Sequence, residues 1–258
     1  MTPLQNKLAL VTGATSGIGA ACAEELARKG CSLAIAARRG EELLKQSERL
    51  QGLGSPSVTT WPLDVRDRAA VADFIEKFAA EEGAPDILIN NAGLARGLAP
   101  IQTGDIDDWE EMIDTNIKGL LYVTHGILPL MVARDSGHVV NIGSLAGLYV
   151  YPNGNVYCAT KFAVDALTQS ISVDLLGTGI RVTEIDPGAV LTNFTLVRLN
   201  GNTEKAAKFY EGFEPLCAGD IAAAVMFALE APPNVNIQRV VITPVAQRNP
   251  YVISRKGK

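Results

Sequence analysis

At 258 residues, with 47% hydrophobic and 20% charged side chains, the chain has the balance of a folded protein and can bury one sizeable α/β core. Its net charge of −5 lacks the basic footprint of a nucleic-acid binder and gives no pull toward anionic lipid. Cys22, Cys31, Cys158 and Cys217 show no Cys-x-x-Cys spacing and read as buried thiols in a reducing compartment. His125 and His138 have no second ligand at metal spacing, which argues against a metal site.

The first strand is expected at 8–12, continuously apolar as parallel strands covered on both faces are. It runs into a glycine-rich turn and a helix over 17–29. Further strands follow at 31–37, 58–63, 87–90, 138–142, 180–185 and 239–243. Helical spacing fills 41–50, 68–81, 107–133 and 155–176 between the first six strands. Such alternation implies a single α/β domain over 1–258: a Rossmann-like, doubly wound parallel sheet of about seven strands with helices on both faces. After the sixth strand, glycine, asparagine and charge surround a short helical piece at 203–210. A surface loop or a substrate lid over about 189–217 fits that composition, and its place beyond a strand's carboxyl end favours the lid. The apolar run after Lys7 is too short for a signal-peptide core, and Pro152 and several glycines interrupt the longest uncharged stretch. A soluble, cytoplasmic protein without membrane contact is expected.

Gly13, Gly17 and Gly19 lie between the first strand and its helix, where the backbone can approach a pyrophosphate at a helix N-terminus. No Gly-Lys-Ser/Thr follows, so this is not a Walker loop. The turn alone could be structural; its position on the first strand points to a nucleotide. At the end of the second strand an acidic residue would bind a ribose 2′-hydroxyl, but the chain reads Ala36-Ala37-Arg38-Arg39-Gly40. Two adjacent guanidiniums suit a 2′-phosphate, which makes NADP the expected cofactor.

Tyr157 and Lys161 are four residues apart on the sixth predicted strand's preceding helix, so both side chains share a face. Ser144 ends the fifth strand at the same carboxyl edge. Oxidising an alcohol by hydride transfer needs a base, and a phenol near pKa 10 is too weak at neutral pH. A neighbouring ammonium and a positive nicotinamide would lower it; a drop of about two units is worth ~2.7 kcal/mol. Ser144 would hold the substrate oxygen. Gly143-Ser144-Leu-Ala-Gly147 departs from the Gly-x-Ser-x-Gly elbow of a hydrolase, and neither histidine follows it in the chain.

These motifs, in this order, resemble those of the short-chain dehydrogenase/reductase family over nearly the whole chain. Thr12-Gly13-x3-Gly17-x-Gly19 resembles its cofactor loop, Asn90-Asn91-Ala92-Gly93 its fourth-strand motif, and Asp186-Pro187-Gly188 the turn after its sixth strand. The resemblance implies a catalytic tetrad of Asn116, Ser144, Tyr157 and Lys161, with Asn116 helping to position a water that relays protons through Lys161. It also implies cofactor contacts from Gly13, Thr15, Ser16, Gly17, Ile18 and Gly19 in the loop. Asp64 and Val65 would sit by the adenine, Asn90 and Ala92 by the ribose, and Val190 and Thr192 toward the nicotinamide, with Gly93, Pro187 and Gly188 also in contact with the cofactor. Read from the residues alone, Asn116 could bend its helix and Asp64 could cap the next one.

A closer similarity is to NADP-dependent 3-hydroxy acid dehydrogenases acting on L-allo-threonine and L-serine. It is carried by Asn91-Ala-Gly-Leu-Ala95, Trp109-Glu-x-Met-Ile-Asp-Thr-Asn116, Gly154-Asn-Val-Tyr157 and Asn236-Ile237. Arg198 falls where that group has a lid arginine, and a guanidinium there would clamp a substrate carboxylate. Asn153 and Asn193 stand where the group usually has glycine and glutamate, and Ser16 where many NADP-preferring members have a basic residue. The expected reaction is hydride exchange at the C3 hydroxyl of a small 3-hydroxy acid. The alternatives are a reductase of a bulkier ketone or aldehyde, and a nucleotide sensor without turnover. The apolar helices at 119–133 and 155–176 need a second cover, and the resemblance implies a homotetramer or dimer. The chain end at 254–258 is expected to fray.

Overall fold

The computed structural model describes residues 3–256. It opens with β1 (Leu8–Thr12), α1 (Gly17–Arg28), β2 (Ser32–Ala37), α2 (Gly40–Gly52), β3 (Val58–Pro62), α3 (Arg68–Glu81) and β4 (Ile87–Asn90). Next come α4 (Ile106–Ile113), α5 (Leu120–Arg134), β5 (Gly137–Ile142), α6 (Asn155–Asp174) and β6 (Ile180–Pro187). The last part holds α7 (Asn193–Arg198), α8 (Thr203–Phe209), α9 (Ala218–Leu229) and β7 (Arg239–Ile242). Among the described residues the strands form one parallel sheet in the order β3-β2-β1-β4-β5-β6-β7. It is the Rossmann-like α/β fold expected from the alternation. β1 pairs with both β2 and β4, so the winding reverses there and opens a crevice at the carboxyl ends of those strands.

Alternate strand residues feed opposite faces. Ala9, Val11, Leu33 and Ile35 join a core with Cys22 and Leu26 of α1 and with Ile221 and Val225 of α9. Leu10 and Leu88 join the other, with Phe74 and Phe78 of α3 and Ile127 and Met131 of α5. Sequence periodicity did not reveal α9. Its alanine-rich run is apolar on most sides and has little of the polar stripe that marks a surface helix.

The single helix expected at 107–133 is broken by a π-helical turn, Asp114–Gly119, between α4 and α5. Gly119 sits where a Cβ would lie 2.6 Å from Val65, so close packing of backbone on β3's trailing loop accompanies the irregular turn. The stretch expected at 189–217 folds as α7 and α8. The chain end, expected to fray, is held through Lys256: Ser254 N–H donates to the Ala246 carbonyl at 2.8 Å, Lys256 N–H to that of Gly212 at 2.7 Å, and the Arg255 guanidinium lies 4.9 Å over the Phe213 ring. Gly257 and Lys258 lie outside the described residues. Cys22, Cys31 and Cys158 are buried as expected, whereas Cys217, the residue before α9, is exposed. Among the described residues no helix is long and apolar enough to cross a membrane.

Candidate active site

β1 hands over to its turn through Gly13 and Gly17, whose φ values of +66° and +57° suit glycine. A Cβ on Gly13 would lie 2.8 Å from Asn91 Nδ2. That amide donates to the carbonyls of Thr12 (2.9 Å) and Gly13 (3.2 Å), while Thr12 Oγ1 accepts from the backbone N–H groups of Asn91 and Ala92 at 3.0 Å. The ends of β1 and β4 are thereby laced into one rim. Ser16, the residue before α1, makes no capping side-chain hydrogen bond, so the first N–H groups of α1 remain available at the crevice.

Thr15, Ser16, Gly17 and Ile18 line this cleft, a cavity of about 440 Å³. So do Gly13, Ala92, Gly93, Pro187, Gly188, Val190 and Thr192. Two of the residues expected at the cofactor, Gly19 and Asn90, do not line the cavity. Gly19 lies behind the loop, where a Cβ would come within 2.5 Å of the Gly13 carbonyl oxygen, so it serves the approach of α1. Asn90, expected beside the ribose, is turned into the core and donates to Thr124 Oγ1 and Asn141 Oδ1, both at 2.9 Å. Its neighbour Asn91 lines the cleft instead.

Arg38 and Arg39 line the far end with Asp64 and Val65. Arg39 Nη2 donates to Thr15 Oγ1 at 3.1 Å, and Arg38 stands 3.8 Å from Glu111. Asp64 caps no helix; Asp67 caps α3. The Asp64 carboxylate accepts from Arg66 Nη2 at 2.6 Å, which holds it below the usual carboxylate range. Sequence reasoning passed over Arg66, which adds a third guanidinium to this wall. Its signal was the Asp-x-Arg spacing at 64–66.

Ser144, Tyr157 and Lys161 meet at the inner end of the cleft. Ser144 follows β5 and accepts the Ala146 N–H at 3.0 Å. Tyr157 and Lys161 are buried one turn apart on α6. Lys161 Nζ donates to the Ile142 carbonyl at 2.8 Å, and burial pulls its ammonium down to about 8. Burial pushes the Tyr157 phenol up, contrary to the drop expected from the neighbouring ammonium; the Ser144 hydroxyl and the Arg198 charge oppose the rise. Asn116 sits in the π-helical turn. Its Oδ1 accepts the Leu94 N–H at 2.9 Å, and its Nδ2 donates to the Leu94 carbonyl at 2.8 Å and to Thr160 Oγ1 at 3.0 Å. The side chain pins the loop after β4 and does not line the cleft.

A second cavity of about 370 Å³ opens from Ser144 and Tyr157 beneath α7 and α8. Leu98, Phe194, Leu199, Phe209, Tyr210 and Tyr251 make much of its wall, and among its described lining residues Arg198 carries the one charge. Arg198 Nη1 donates to the Tyr151 hydroxyl at 2.6 Å and Nε to the Gly97 carbonyl at 3.1 Å. Its guanidinium carbon lies 5.2 Å from the centroid of the Tyr157 ring. Tyr151 was not singled out in the sequence, because a lone tyrosine six residues before another carries no spacing signal.

Comparison with known proteins agrees with this layout. The family model for short chain dehydrogenases matches residues 7–200. The NADP-dependent 3-hydroxy acid dehydrogenase YdfG of Salmonella typhi is 44% identical over 241 residues, covering 93% of this chain and 96% of that protein. Sulfoacetaldehyde reductase 2 of Chromohalobacter salexigens is 42% identical over 241 residues, covering 93% and 95%. The solved closed form of serine dehydrogenase complexed with NADP+ superposes with a TM-score of 0.88 at 42% identity, covering 93% of this chain and 96% of that one.

Proposed function

The chain belongs to the short chain dehydrogenase family, and from that premise we propose that it is an NADP-dependent oxidoreductase acting on the C3 hydroxyl of a small 3-hydroxy acid. The observation that carries the substrate class is Arg198, a single guanidinium in an otherwise uncharged cavity, beside the ring of Tyr157. A carboxylate paired there would set the hydroxyl-bearing carbon between Ser144 and Tyr157.

The cleft fits a dinucleotide: two left-handed glycines, an uncapped helix N-terminus and a cluster of arginines follow one another along it. Gly13, Thr15, Ser16, Gly17 and Ile18 would hold the pyrophosphate, Arg38 and Arg39 the 2′-phosphate, and Asp64 and Val65 the adenine side. Ala92 and Gly93 would face the ribose, and Pro187, Gly188, Val190 and Thr192 the nicotinamide. NADP, when bound, supplies the hydride-exchanging chemistry and a positive charge in its oxidised form. Tyr157 takes the proton of the substrate hydroxyl, and Ser144 donates to the same oxygen as charge develops on it. Lys161 keeps a cation beside that exchange, and Asn116 holds the backbone of Leu94 and the Thr160 hydroxyl next to it. The stretch 189–217 acts as the lid that brings Arg198 over the substrate. Exposed Leu121 and Val132 on α5 and Phe162 and Val173 on α6 support a homotetramer or dimer closed through these helices. The compartment is read as the cytoplasm.

The aromatic wall of the inner cavity favours one second reading, a reductase of a bulkier ketone or aldehyde. Initial rates with NADP+ and NAD+ on L-serine, L-allo-threonine, 3-hydroxyisobutyrate and a neutral secondary alcohol separate the two. Turnover of the acids with NADP+ is expected; turnover of the neutral alcohol alone transfers the enzyme to the second reading.

A further inference from the structure

Behind the Tyr157–Lys161 pair lies a group of ionisable side chains that the reaction above does not use. Glu184 and Asp186 alternate on β6, so both side chains project to one face of the sheet, and both residues are essentially inaccessible to water. Asp186 Oδ1 accepts the backbone N–H of Ser144 at 2.9 Å, which fixes the residue that faces the substrate. From β7, Arg239 reaches both carboxyls, Nη2 to Glu184 Oε2 at 3.1 Å and Nε to Asp186 Oδ2 at 3.2 Å, and also pairs with Asp165 of α6. Lys161 of α6 is the other cation facing the pair.

Glu184, Asp186 and Lys161 are buried while Arg239 and Asp165 are partly exposed, so the buried three carry one negative charge too many unless a proton is bound. The hydrogen bonding says where. Asp186 Oδ2 and Glu184 Oε1 are both buried without a hydrogen-bond partner among the described residues; Asp186 Oδ2 lies 3.2 Å from the Arg239 guanidinium, which leaves Glu184 Oε1 as the orphan. It and Asp186 Oδ1 converge on Gly143, where a Cβ would lie 2.4 Å from the first and 2.2 Å from the second. A proton on Glu184, donated to Asp186, turns the orphan oxygen into half of a carboxyl–carboxylate hydrogen bond. Burial and the Asp186 charge both push the Glu184 carboxyl up, in the same sense. Gly143 leaves the space in which the two meet.

We infer that Glu184 is a positioning residue for the reaction: it carries the one proton shared with Asp186, and by releasing it to solvent as pH rises it supplies the negative charge that keeps Lys161 an ammonium. This rests on the reading of Lys161 as the cation beside Tyr157. The groups facing the pair are Lys161 and Asp165 from α6, Arg239 from β7 and the Ser144 N–H after β5.

The test is Glu184→Gln, which keeps the shape and removes the titration, with Asp165→Asn as a second variant if the first fails to fold. Without substrate, thermal unfolding of wild type and Glu184→Gln is followed across pH. Because Glu184 is held protonated in the folded chain, wild type should lose stability relative to the variant as pH rises above the ordinary carboxyl range. With NADP+ and whichever of L-serine or the neutral alcohol turns over, the upper limb of the kcat profile should fall by about half a pH unit or more in Glu184→Gln, with KM changed less than about twofold near pH 6.5. Asp165→Asn leaves Arg239 to the two carboxylates, which eases loss of the shared proton, so the stability loss should end at a lower pH than in wild type. A flat stability difference overturns the shared proton whatever the substrate is. A stability slope with an unmoved kcat limb overturns the role in catalysis. Absence of turnover on both probes, with the slope present, fails the functional reading and Glu184's part in it, leaving a proton of purely structural standing.

Discussion

The guanidinium of Arg198 lies over the ring of Tyr157, 5.2 Å from its centroid, and donates to the Tyr151 hydroxyl on the way. Its charge acts on the phenol and, on the proposed reading, would also meet an incoming anion. Arg198→Ala should raise KM for a 3-hydroxy acid by about 30- to 150-fold, the loss of a charge-assisted pair worth about 2–3 kcal/mol. It should also slow the chemical step modestly, since the same charge opposes the upward push on Tyr157. A neutral secondary alcohol should keep its KM. Equal losses on acid and alcohol would remove the carboxylate clamp from the account.

Cofactor choice should lie with Arg38 and Arg39. Arg39 is already oriented by Thr15, whereas Arg38 is only loosely held by Glu111 at 3.8 Å. Replacing either by alanine should weaken NADP+ by about tenfold or more and leave NAD+ nearly unchanged, because on the proposed reading these side chains would meet only the 2′-phosphate. Titration of the two cofactors by fluorescence quenching reads this directly, and a parallel loss of NAD+ affinity would point to a disturbed loop instead.

The sheet was legible because most strands are short runs rich in apolar or β-branched residues that alternate with helices, and the observed strands fall within two residues of the expected ones. The cleft was legible where a residue type has only one use in a given place, as with Gly13 and Gly17 at positive φ. The inward turn of the Asn90 side chain was not legible, because two adjacent asparagines lie at the end of β4 and alternation sends one inward to Thr124 and the other to the rim. The π-helical turn was hidden since Asp114–Gly119 continues the helical spacing on both sides. Likewise the Arg239–Glu184–Asp186 cluster joins β6 to a strand more than fifty residues later, a contact that spacing cannot show.

His138 should make the fold acid-sensitive. It is buried in β5, and its Nε2 meets Thr183 Oγ1 at 2.8 Å. That hydroxyl donates to the Ile237 carbonyl, so the ring nitrogen carries the proton. Burial and the Arg181 charge push the imidazole down to about 3, against an ordinary 6.5. The unfolded chain thus binds a proton that the folded chain refuses, and stability falls as pH drops below 6.5. Between pH 7 and 4.5, wild type should lose roughly 2–3 kcal/mol more than His138→Leu in urea unfolding, at about 1.4 kcal/mol per pH unit. Parallel pH curves for the two proteins would mean the imidazole finds a way to be charged in place.

Lys161 should show a slope of the same sign in a more alkaline window. Its ammonium is buried with the Ile142 carbonyl as its hydrogen-bond acceptor, and its folded value lies near 8 against an ordinary 10.5. Between those values the unfolded chain holds more protons, so stability rises with pH across that window. Below it the folded chain bears the full cost of a buried cation, up to about 3 kcal/mol from the displacement. Lys161→Met should therefore unfold at a higher temperature than wild type at pH 7 while losing turnover. Its advantage should shrink as pH rises from about 8 to 10.5. A Met variant less stable than wild type at pH 7 would show instead that the ammonium anchors the acidic pair on β6, and that its burial serves the fold as much as the reaction.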